Sequence, residues 1–295
     1  MFETELIPLP EEELNNIVDL ALKEDLSHGD ITSDILIPQE LEGKAVLMVK
    51  ARGVLAGNEV ASKVFRRFDP TLKYELLVKD GAKLKPGDII ATISGKIISI
   101  VKAERVAVNF LQKLSGIASA TAQYVARTRG FSVKVTDMRK TTPGLRVLEK
   151  YAVRMGGGYS HRVDLGDGVL IKDNHLVALR ALGMDLKEIV TKAKEKTPSG
   201  LKVEVEVTTV REAIEAAEAG ADIIMLDNMS LEDMRRAVDS LKGKVIFEAS
   251  GGINLGTVRQ VAMTGVDIIS VGALTHSVKA LDISLELEPP ALKLL

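Results

Sequence analysis

Short apolar segments that alternate with amphipathic helical segments after residue 130 constrain the fold most strongly. A weak internal repeat supports this rhythm, because residues 219–227 and 264–272 each combine a helix end, a turn glycine and an apolar strand. Repeated strand–helix units build parallel sheets or barrels. Six or seven such strands favour an incomplete TIM-like α/β barrel, and an open doubly wound sheet is the alternative. The predicted strands are 133–136, 169–171, 203–207, 223–226, 245–247 and 268–271, and the predicted helices are 186–196, 210–219, 231–241 and 255–264.

The first part of the chain predicts a sheet-rich module with an initial helix at residues 11–25. Turn signals separate strand-like runs, and one long helix is predicted at 102–129. The alternating tail has no partner in the predicted barrel, so we expect it to return to the first module. We therefore predict an α/β sandwich domain at 1–115, joined by the tail 278–295, and a barrel domain at 116–277. The strand-like runs are 45–50, 74–79, 89–93 and 97–101.

Composition excludes several classes of protein. Aromatic residues make up 3% of the chain and tryptophan is absent, which argues against the stacking platforms of single-strand nucleic-acid binders. The absence of cysteine excludes disulfides, thiolate metal sites and cysteine nucleophiles. Residues 1–6 lack the basic start of a signal peptide, and no apolar run reaches the ~18 residues of a membrane span. We expect a soluble cytoplasmic protein that binds neither nucleic acid nor membrane.

A local excess of basic residues stands out in a chain whose formal net charge is −2. It predicts a concave site for a strongly anionic ligand, with nearby glycines letting the backbone approach that ligand. The alternative is a solvated basic face. Arg146, Lys150 and Arg154 recur every four residues, so they share one side of a helix, and this spacing also fits a structural role. The cluster comprises Arg139, Lys140, Arg146, Lys150, Arg154, His161, Arg162 and Lys172, against Glu149, Asp164 and Asp167.

Polar residues follow each predicted strand of the barrel. In such barrels the chemistry occurs at the carboxyl ends of the strands, where Arg139, Lys172, Asp227 and Ser250 fall here. Strand alternation also places Glu204 and Glu206 on one face. Because an unpaired carboxylate inside a barrel is costly, we expect at least one of them to be functional.

Two glycine turns predict a phosphate site. Ser250-Gly251-Gly252 follows one strand, with Asn254 as the predicted cap of the next helix, and Gly272-Ala273 follows the last strand. Backbone N–H groups at such turns bind phosphate, often in the last two loops of a barrel. The four histidines have no zinc-binding spacing, which leaves a hard cation held by carboxylates and substrate phosphates.

Together these segments resemble the quinolinate phosphoribosyltransferase family, also called carboxylating nicotinate-nucleotide pyrophosphorylase. The resemblance spans nearly the whole chain in order. One departure is Met138, where the family usually has threonine, although the backbone N–H remains. The matching runs are ED (24–25), GDIT (29–32), GVLAG (53–57), ER (104–105), TDMRKTTPGLR (136–146), KYAVRMGGG (150–158), HR (161–162), LIKDNH (170–175), EVEV (204–207), LDN (226–228), EASGG (248–252) and VGALTHS (271–277).

The resemblance implies a subunit with an α/β sandwich and a seven-stranded α/β barrel, assembled as dimers or multiples of dimers. It implies an enzyme that makes nicotinate mononucleotide from quinolinate and phosphoribosyl pyrophosphate. Pyrophosphate and carbon dioxide are released, and magnesium is the cofactor. Both substrates are polyanions, which fits the basic cluster. The active site is implied to be shared, with Arg105 of one subunit reaching the barrel of the other.

Roles follow for individual residues if the resemblance holds. Arg139, His161 and Arg162 would hold the two carboxylates of quinolinate, because guanidinium matches carboxylate in bidentate geometry. Lys140 and Lys172 would act as point charges on pyrophosphate or a carboxylate. Glu206 and Asp227 would hold the ribose hydroxyls and Mg²⁺. The 5′-phosphate would bind at Ser250, Gly251, Gly252, Gly272 and Ala273, and the family's substrate contacts also map to Met138, Val271 and His276.

Two alternatives stay open at this point. One is another pyridine or pyrimidine phosphoribosyltransferase on the same scaffold, such as the pyrophosphorylase-like proteins linked to molybdate transport. The other is a barrel that binds phosphate without catalysis. The combination of Arg139-Lys140, His161-Arg162 and Lys172 disfavours both.

Overall fold

The computed structural model describes residues 9–288 and 293–294, which form two compact units. The first unit contains Gln123–Lys140 and Gly158–His276. The second contains the described residues of Glu5–Ala122, Thr141–Gly157 and Ser277–Leu295. The segment 1–6, used above to exclude a signal peptide, and most of the last seven residues of the tail lie outside the described residues.

Helices and strands alternate along most of the described chain. The helices are α1 (Glu11–Leu26), α2 (Ile31–Leu36), α3 (Asn58–Phe68), α4 (Ile97–Arg127), α5 (Arg146–Met155), α6 (Asp173–Arg180), α7 (Leu186–Lys196), α8 (Val210–Glu218), α9 (Leu231–Leu241), α10 (Val258–Ala262) and α11 (Ala273–His276). The strands are β1 (Leu41–Val49), β2 (Gly53–Val54), β3 (Lys73–Leu76), β4 (Lys83–Leu84), β5 (Ile89–Lys96), β6 (Lys134–Thr136), β7 (Val169–Ile171), β8 (Val203–Val207), β9 (Ile223–Asp227), β10 (Ile246–Ser250), β11 (Ile268–Ser270), β12 (Ile283–Leu287) and β13 (Lys293–Leu294).

The sheet of the first unit has the strand order of a barrel. Its six strands pair in parallel in the order β6-β11-β10-β9-β8-β7, so the first strand lies beside the last. A doubly wound sheet would instead reverse its order at an internal strand. The six strands predicted from the sequence are therefore confirmed, and so is the barrel-like α/β class.

A seventh position in the barrel wall is reduced to a single bridge. On the free side of β6, Tyr159 forms a parallel bridge with Thr136. The Tyr159 N–H donates to Val135 O at 2.8 Å, and the Asp137 N–H donates to Tyr159 O at 3.2 Å. The wall therefore comprises six strands and one bridging segment, and this segment leads directly into the basic residues that follow it.

The second unit contains an antiparallel sheet in the order β12-β1-β5-β3, and β13 also pairs with β1. The tail strand β12 pairs antiparallel with β1, from Val49 opposite Ile283 to Ala45 opposite Leu287. Helix α3 buries one face made of Val60, Val64 and Phe65, which is the amphipathic pattern expected of a helix on a sheet. This unit has the layered α/β arrangement predicted for the first module.

The predicted strand at 97–101 is wrong, because these residues form the start of α4. The run is rich in isoleucine, whose branched side chain favours strands locally. Burial of Ile97 and Ile100 at helical spacing stabilises the helix instead, since packing overrides propensity.

The predicted cap at Asn254 is also wrong, because α10 begins at Val258 after Thr257. Asn254 Oδ1 instead accepts the Gly256 N–H within a turn.

The glycine and basic residues around α5 have a structural role within the second unit. A Cβ on Gly156 would lie 2.4 Å from Ala118 O on α4 and 2.6 Å from Thr121 Cβ. Gly156 therefore allows close helix packing, and the backbone approach predicted for a ligand is not its role. Within α5, Glu149 and Lys150 are buried, and Lys113 Nζ lies 3.0 Å from Glu149 Oε1. The basic segment thus divides between the two units.

Gly156→Ala should destabilise the protein by about 2–3 kcal/mol, because the added methyl group overpacks the contact with α4. The φ of Gly156 is −76°, so the loss would be steric and not conformational. Gly130→Ala is the matched control, with open space around it but a φ of 92°. It should lose only about 1 kcal/mol. Urea unfolding measures both variants, and wild-type stability of Gly156→Ala would contradict the packing role.

Candidate active site

A cavity of about 610 Å³ opens at the carboxyl ends of the parallel strands. All of its walls come from the first unit. This is the end of a barrel at which substrates bind. The cavity is lined by Met138, Arg139, Lys140, His161, Arg162, Leu170, Lys172, Asp173, Asn174, Glu206, Met225, Asp227, Asn228, Glu248, Ser250, Gly251 and Gly252.

Four cations on three different segments line this cavity. Arg139 and Lys140 follow β6, Arg162 follows the Tyr159 bridge, and Lys172 follows β7. Arg162 is buried and donates from Nη1 to Gly168 O at 2.8 Å, whereas its Nε has no hydrogen-bond partner among the described residues. The Nε of Arg139 is likewise buried without one. Buried guanidinium donors without partners are suited to an anionic ligand.

Two carboxylates, Glu206 on β8 and Asp227 at the end of β9, line the same cavity. Burial, and then the charge of Asp227, raise the pKa of Glu206, while Lys172 and Lys140 oppose the rise. The four groups therefore interact electrostatically. An acidic pair beside two ammonium groups can bind hydroxyl groups, a hard cation, or both.

A buried cluster of three residues adjoins the cavity, and two of its members, His161 and Glu248, line the cavity wall. His161 Nε2 lies 3.2 Å from Glu248 Oε2 and 3.4 Å from Glu204 Oε2. Both glutamates have 0% relative exposure and His161 has 6%. Two ionised carboxylates at this depth would be strongly destabilising without a compensating proton or cation.

The proton distribution in this cluster follows from its hydrogen bonds. Burial lowers the pKa of His161 and the two carboxylates raise it more strongly. However, His161 Nδ1 accepts the Arg162 N–H at 2.8 Å, which a ring protonated at both nitrogens cannot do. The imidazole therefore carries its proton on Nε2. Burial, and then the charge of Glu248, raise the pKa of Glu204 to about 7, so Glu204 takes up a proton as the pH falls through neutrality.

The same hydrogen bonds show what His161 does locally. The backbone N–H of His161 donates to Asp137 Oδ1 at 2.9 Å, and Asp137 is itself fully buried after β6. One ring nitrogen contacts the backbone of Arg162 and the other faces Glu204 and Glu248. His161 thus connects Glu204 and Glu248 to Arg162. A direct bond from its ring to a ligand would require one of these contacts to be released.

Among the described residues, the one group of three potential metal ligands is also this cluster. The ligand atoms of His161, Glu204 and Glu248 lie within 4.8 Å of one another. The imidazole Nε2–H already faces both carboxylates, so a cation would compete with it for the same oxygens. The geometry is that of an internal histidine–carboxylate cluster, and Glu206 and Asp227 are more accessible to a cation.

The glycine turn after β10 lies next to the end of β9. Ser250 pairs with Asp227 in the parallel register, and Gly251 has a φ of 91°. A Cβ on Gly251 would lie 2.3 Å from Asn228 Oδ1. Glycine is therefore required here both by the backbone conformation and by the side chain opposite.

The turn after β11 lies beside this cavity and is not part of its wall. Val271 is buried, and Ala273 begins the short helix α11 that ends at His276. A Cβ on Gly272 would lie 3.0 Å from His276 Nε2 and 3.2 Å from Lys140 Cδ. The structure thus connects the β11 turn to the cavity through Lys140.

Arg105 belongs to α4 in the second unit and is not part of this cavity wall. Its side chain is 61% exposed, and its Nη2 lies 3.8 Å from Glu104 Oε1. An exposed pair at this distance contributes little stability. Within one chain, the structure thus leaves Arg105 available to solvent or to another molecule.

Sequence reasoning assigned no role to six residues that line the cavity, which are Leu170, Asp173, Asn174, Met225, Asn228 and Glu248. Glu248 follows the predicted strand 245–247 in the sequence, yet it lies within the strand β10 and is fully buried. The argument used for Glu204, that an unpaired carboxylate inside a barrel is costly, would also have identified Glu248. Asn228 was not assigned a role, and its contacts with Asp227 and Gly251 have no signal in the sequence beyond the Asp-Asn pair after a buried strand.

The fold and site define a barrel protein with a polar cavity for phosphorylated or carboxylated ligands, an arrangement typical of enzymes. Among the described residues, no helix is both long enough and apolar enough to span a membrane. Residues 30–115 match the N-terminal domain of quinolinate phosphoribosyl transferase, and residues 117–286 match the C-terminal domain. The chain therefore belongs to the quinolinate phosphoribosyltransferase family.

Individual relatives agree with this assignment. The chain is 39% identical over 274 residues to the probable nicotinate-nucleotide pyrophosphorylase (carboxylating) of Bacillus subtilis strain 168, covering 93% of each protein. It is 40% identical over 295 residues to the mitochondrial quinolinate phosphoribosyltransferase (decarboxylating) 2a of Nicotiana tabacum, covering 95% of this chain and 83% of that protein. The solved nicotinate-nucleotide pyrophosphorylase of Francisella tularensis is 38% identical with a TM-score of 0.90, covering 96% and 99% of the two chains.

Glu204→Gln should change how stability depends on pH. The pKa of Glu204 is about 7 in the folded protein against an ordinary value of 4.5. Its bound proton therefore stabilises the fold fully below pH 4.5, and this contribution is lost as the pH rises through 7. Relative to Glu204→Gln, the wild-type protein should lose up to about 3 kcal/mol between pH 4.5 and 8.

Urea unfolding across this pH range measures the difference. Glu195→Gln, at an exposed position on α7, is the matched control and should follow the wild-type curve. Parallel curves for the wild type and Glu204→Gln would show that Glu204 stays ionised throughout, which would contradict its raised pKa.

Proposed function

We propose that this protein transfers the 5-phosphoribosyl group from phosphoribosyl pyrophosphate to quinolinate with decarboxylation. The products are nicotinate mononucleotide, pyrophosphate and carbon dioxide, a step of de novo NAD biosynthesis. The observation that carries the proposal is a single cavity, in a chain of this family, that combines four cations, an acidic pair and a glycine turn. These are the groups that a pyridine dicarboxylate and a phosphorylated ribose require.

The proposed ligands of quinolinate are Arg139 and Arg162. Their buried Nε donors have no hydrogen-bond partner among the described residues, and guanidinium groups match carboxylates in bidentate geometry. His161 supports this pair, because its ring holds the backbone of Arg162. We propose Lys140 and Lys172 as point charges on the pyrophosphate or on a carboxylate.

The proposed ligands of the phosphoribosyl group lie at the ends of β8, β9 and β10. Glu206 and Asp227 would accept hydrogen bonds from the ribose hydroxyls. Ser250, Gly251 and Gly252 would bind the 5′-phosphate through the hydroxyl and N–H groups. The neighbouring loop would complete the phosphate site, with Val271, Gly272, Ala273 and His276 in the positions that the family resemblance implies.

The chemistry follows from the placement of these charges. The ring nitrogen of quinolinate attacks C1 of the ribose as the bond to pyrophosphate breaks, and Glu206 and Asp227 stabilise the positive charge that develops on the ribose. The ring nitrogen then carries a positive charge. That charge stabilises the carbanion formed when the adjacent carboxylate leaves as carbon dioxide. Because the ring nitrogen stabilises this carbanion, the protein need supply no separate electron sink. A proton then replaces the lost carboxylate on the ring carbon.

Magnesium is part of the proposal. Glu206 and Asp227 are close enough for Asp227 to raise the pKa of Glu206, so a divalent cation would relieve their repulsion. Both supply the oxygen ligands that Mg²⁺ prefers, and Mg²⁺ commonly bridges one or two carboxylates and substrate phosphates. When bound, it would neutralise charge on the departing pyrophosphate.

We further propose that a second copy of the chain completes the site. Three apolar side chains flank the cations of the cavity: Val163 follows Arg162, Leu165 lies two residues further, and Val177 lies on α6 after Lys172. They are 47%, 73% and 67% exposed. We propose that these exposed side chains take part in the contact with the second copy. Arg105 of a partner subunit would reach the substrate, and the assembly would be a dimer or a multiple of dimers. A cytoplasmic location stays a prediction from the sequence.

Purified protein with phosphoribosyl pyrophosphate and Mg²⁺ should consume quinolinate and leave nicotinate almost untouched. Nicotinate lacks one carboxylate, so it would leave a guanidinium of the site unpaired, and discrimination should reach about 10⁴-fold. Chromatography of the nucleotide product measures both reactions. Comparable turnover of the two acids would favour another pyridine phosphoribosyltransferase, and tight phosphate binding without turnover would favour a binding protein.

Lys172→Ala should lower kcat/KM by at least about 100-fold, because it removes a charge from the anion site. Lys172 lies between β7 and α6 and contributes no core packing, so the variant should keep its thermal unfolding temperature. Lys187→Ala is the matched control, with an exposed lysine on α7 outside the cavity. Equal activity of the two variants would mean that Lys172 does not contact substrate.

Subunit mixing tests the shared site. Arg105→Ala and Lys172→Ala should each be nearly inactive, whereas a hybrid dimer contains one site with both residues intact. Random exchange should restore about a quarter of the wild-type activity, because half of the dimers are hybrids with one complete site. A mixture of Lys140→Ala and Lys172→Ala should not recover, since both residues belong to one barrel. Native mass spectrometry confirms exchange, and hybrids without activity would place Arg105 in its own subunit's site.

A further inference from the structure

Asn228 has an unusual backbone conformation at the edge of the cavity. It follows β9 directly and has a φ of 51°. Throughout the part of the chain that the structure describes, no other residue apart from glycine has a positive φ. Asparagine tolerates this left-handed conformation better than most residues. The chain therefore turns sharply immediately after Asp227.

The turn gives Asn228 contacts with two neighbouring strand ends. Its side-chain Nδ2 donates to Asp227 Oδ2 at 2.7 Å. Its backbone N–H donates to Ser250 O at 3.0 Å, one step beyond the last pair of the β9–β10 ladder, Asp227 opposite Ser250. One residue thus orients the Asp227 carboxylate and extends the strand pairing to the start of the glycine turn.

Asn228 also contacts the glycine turn itself. A Cβ on Gly251 would lie 2.3 Å from Asn228 Oδ1, 2.5 Å from Asn228 Cγ and 2.9 Å from the Asn228 backbone N. The Asn228 side chain thus occupies the space that the Cβ of any other residue at position 251 would need. The two residues fit each other, and Asn228 limits movement of the Gly251 turn toward β9.

We propose that Asn228 is a positioning residue that fixes the Asp227 carboxylate relative to the Gly251 turn. The inference rests on the proposed function, in which Asp227 binds the ribose hydroxyls and Gly251 binds the 5′-phosphate of one substrate. Both groups belong to a single phosphoribosyl unit, so their ligands must keep a fixed separation. A displacement of about 1 Å in such a site can cost 100-fold in rate.

A purely local role for Asn228 makes a different prediction. If position 228 required only a left-handed turn, glycine would serve as well as asparagine, because glycine adopts positive φ without strain. Asn228→Gly therefore keeps the backbone conformation and removes only the amide. Asn228→Asp keeps the size of the side chain and replaces the donor to Asp227 with a second carboxylate oxygen.

The experiment compares these variants in steady-state assays with Mg²⁺ and in quinolinate binding by calorimetry. Asn228→Gly should lower kcat/KM for phosphoribosyl pyrophosphate by about 10- to 100-fold, while its Kd for quinolinate should stay within about twofold of the wild type. Asn228→Asp should lose at least as much. Both should keep the wild-type circular dichroism spectrum, and if Asn228→Gly does not fold, Asn228→Asp provides the same comparison.

A double-variant comparison separates positioning from independent contact. If Asn228 acts through Asp227, Asp227→Asn combined with Asn228→Gly should be little worse than Asp227→Asn alone. Wild-type kcat/KM in Asn228→Gly, equal losses for both substrates, or fully additive losses would overturn the inference while leaving the proposed function intact. A wild-type protein that does not consume quinolinate would overturn both.

Discussion

The parallel pairing of the strands is the constraint on which the site depends. Because all six strands run in one direction and β6 lies beside β11, their carboxyl ends meet at one edge of the sheet. Residues as distant in sequence as Arg139 and Gly252 therefore line one cavity. No local segment could assemble four cations, an acidic pair and a glycine turn. The fold contributes to function mainly through this convergence.

Charge balance explains the buried cluster of His161, Glu204 and Glu248 beside the cavity. A site for polyanions must hold cations close together before the ligand arrives. Burial lowers the pKa of Arg162 most, and repulsion from Arg139 lowers it further. The charges of Glu204 and Glu248 oppose this lowering, and His161 contacts both glutamates and the backbone of Arg162. Apolar residues would be expected to give a more stable core. The cluster is therefore understood better as support for the anion site than as a source of stability.

The sequence alone predicted the helices, the strands and the residues of the site better than it predicted the contacts between those residues. The strand at 203–207 was predictable because valines and glutamates alternate in a run with clear ends. A functional role for Glu204 or Glu206 was predictable because an unpaired carboxylate inside a barrel is costly. The run at 97–101 was misassigned, because its local preference for strand is overridden by packing. Neither the orientation of His161 nor the φ of Asn228 can be read from residue types, since both depend on neighbours distant in sequence.

Loss of one defined carboxylate tests the central claim most directly. Quinolinate labelled with ¹³C in either the 2-carboxylate or the 3-carboxylate is incubated with the protein, Mg²⁺ and phosphoribosyl pyrophosphate. If the phosphoribosylated ring nitrogen drives decarboxylation, labelled carbon dioxide should come only from the 2-carboxylate, in equal amount to pyrophosphate. It should be absent without phosphoribosyl pyrophosphate. Label from the 3-carboxylate, or pyrophosphate released without labelled carbon dioxide, would contradict the mechanism.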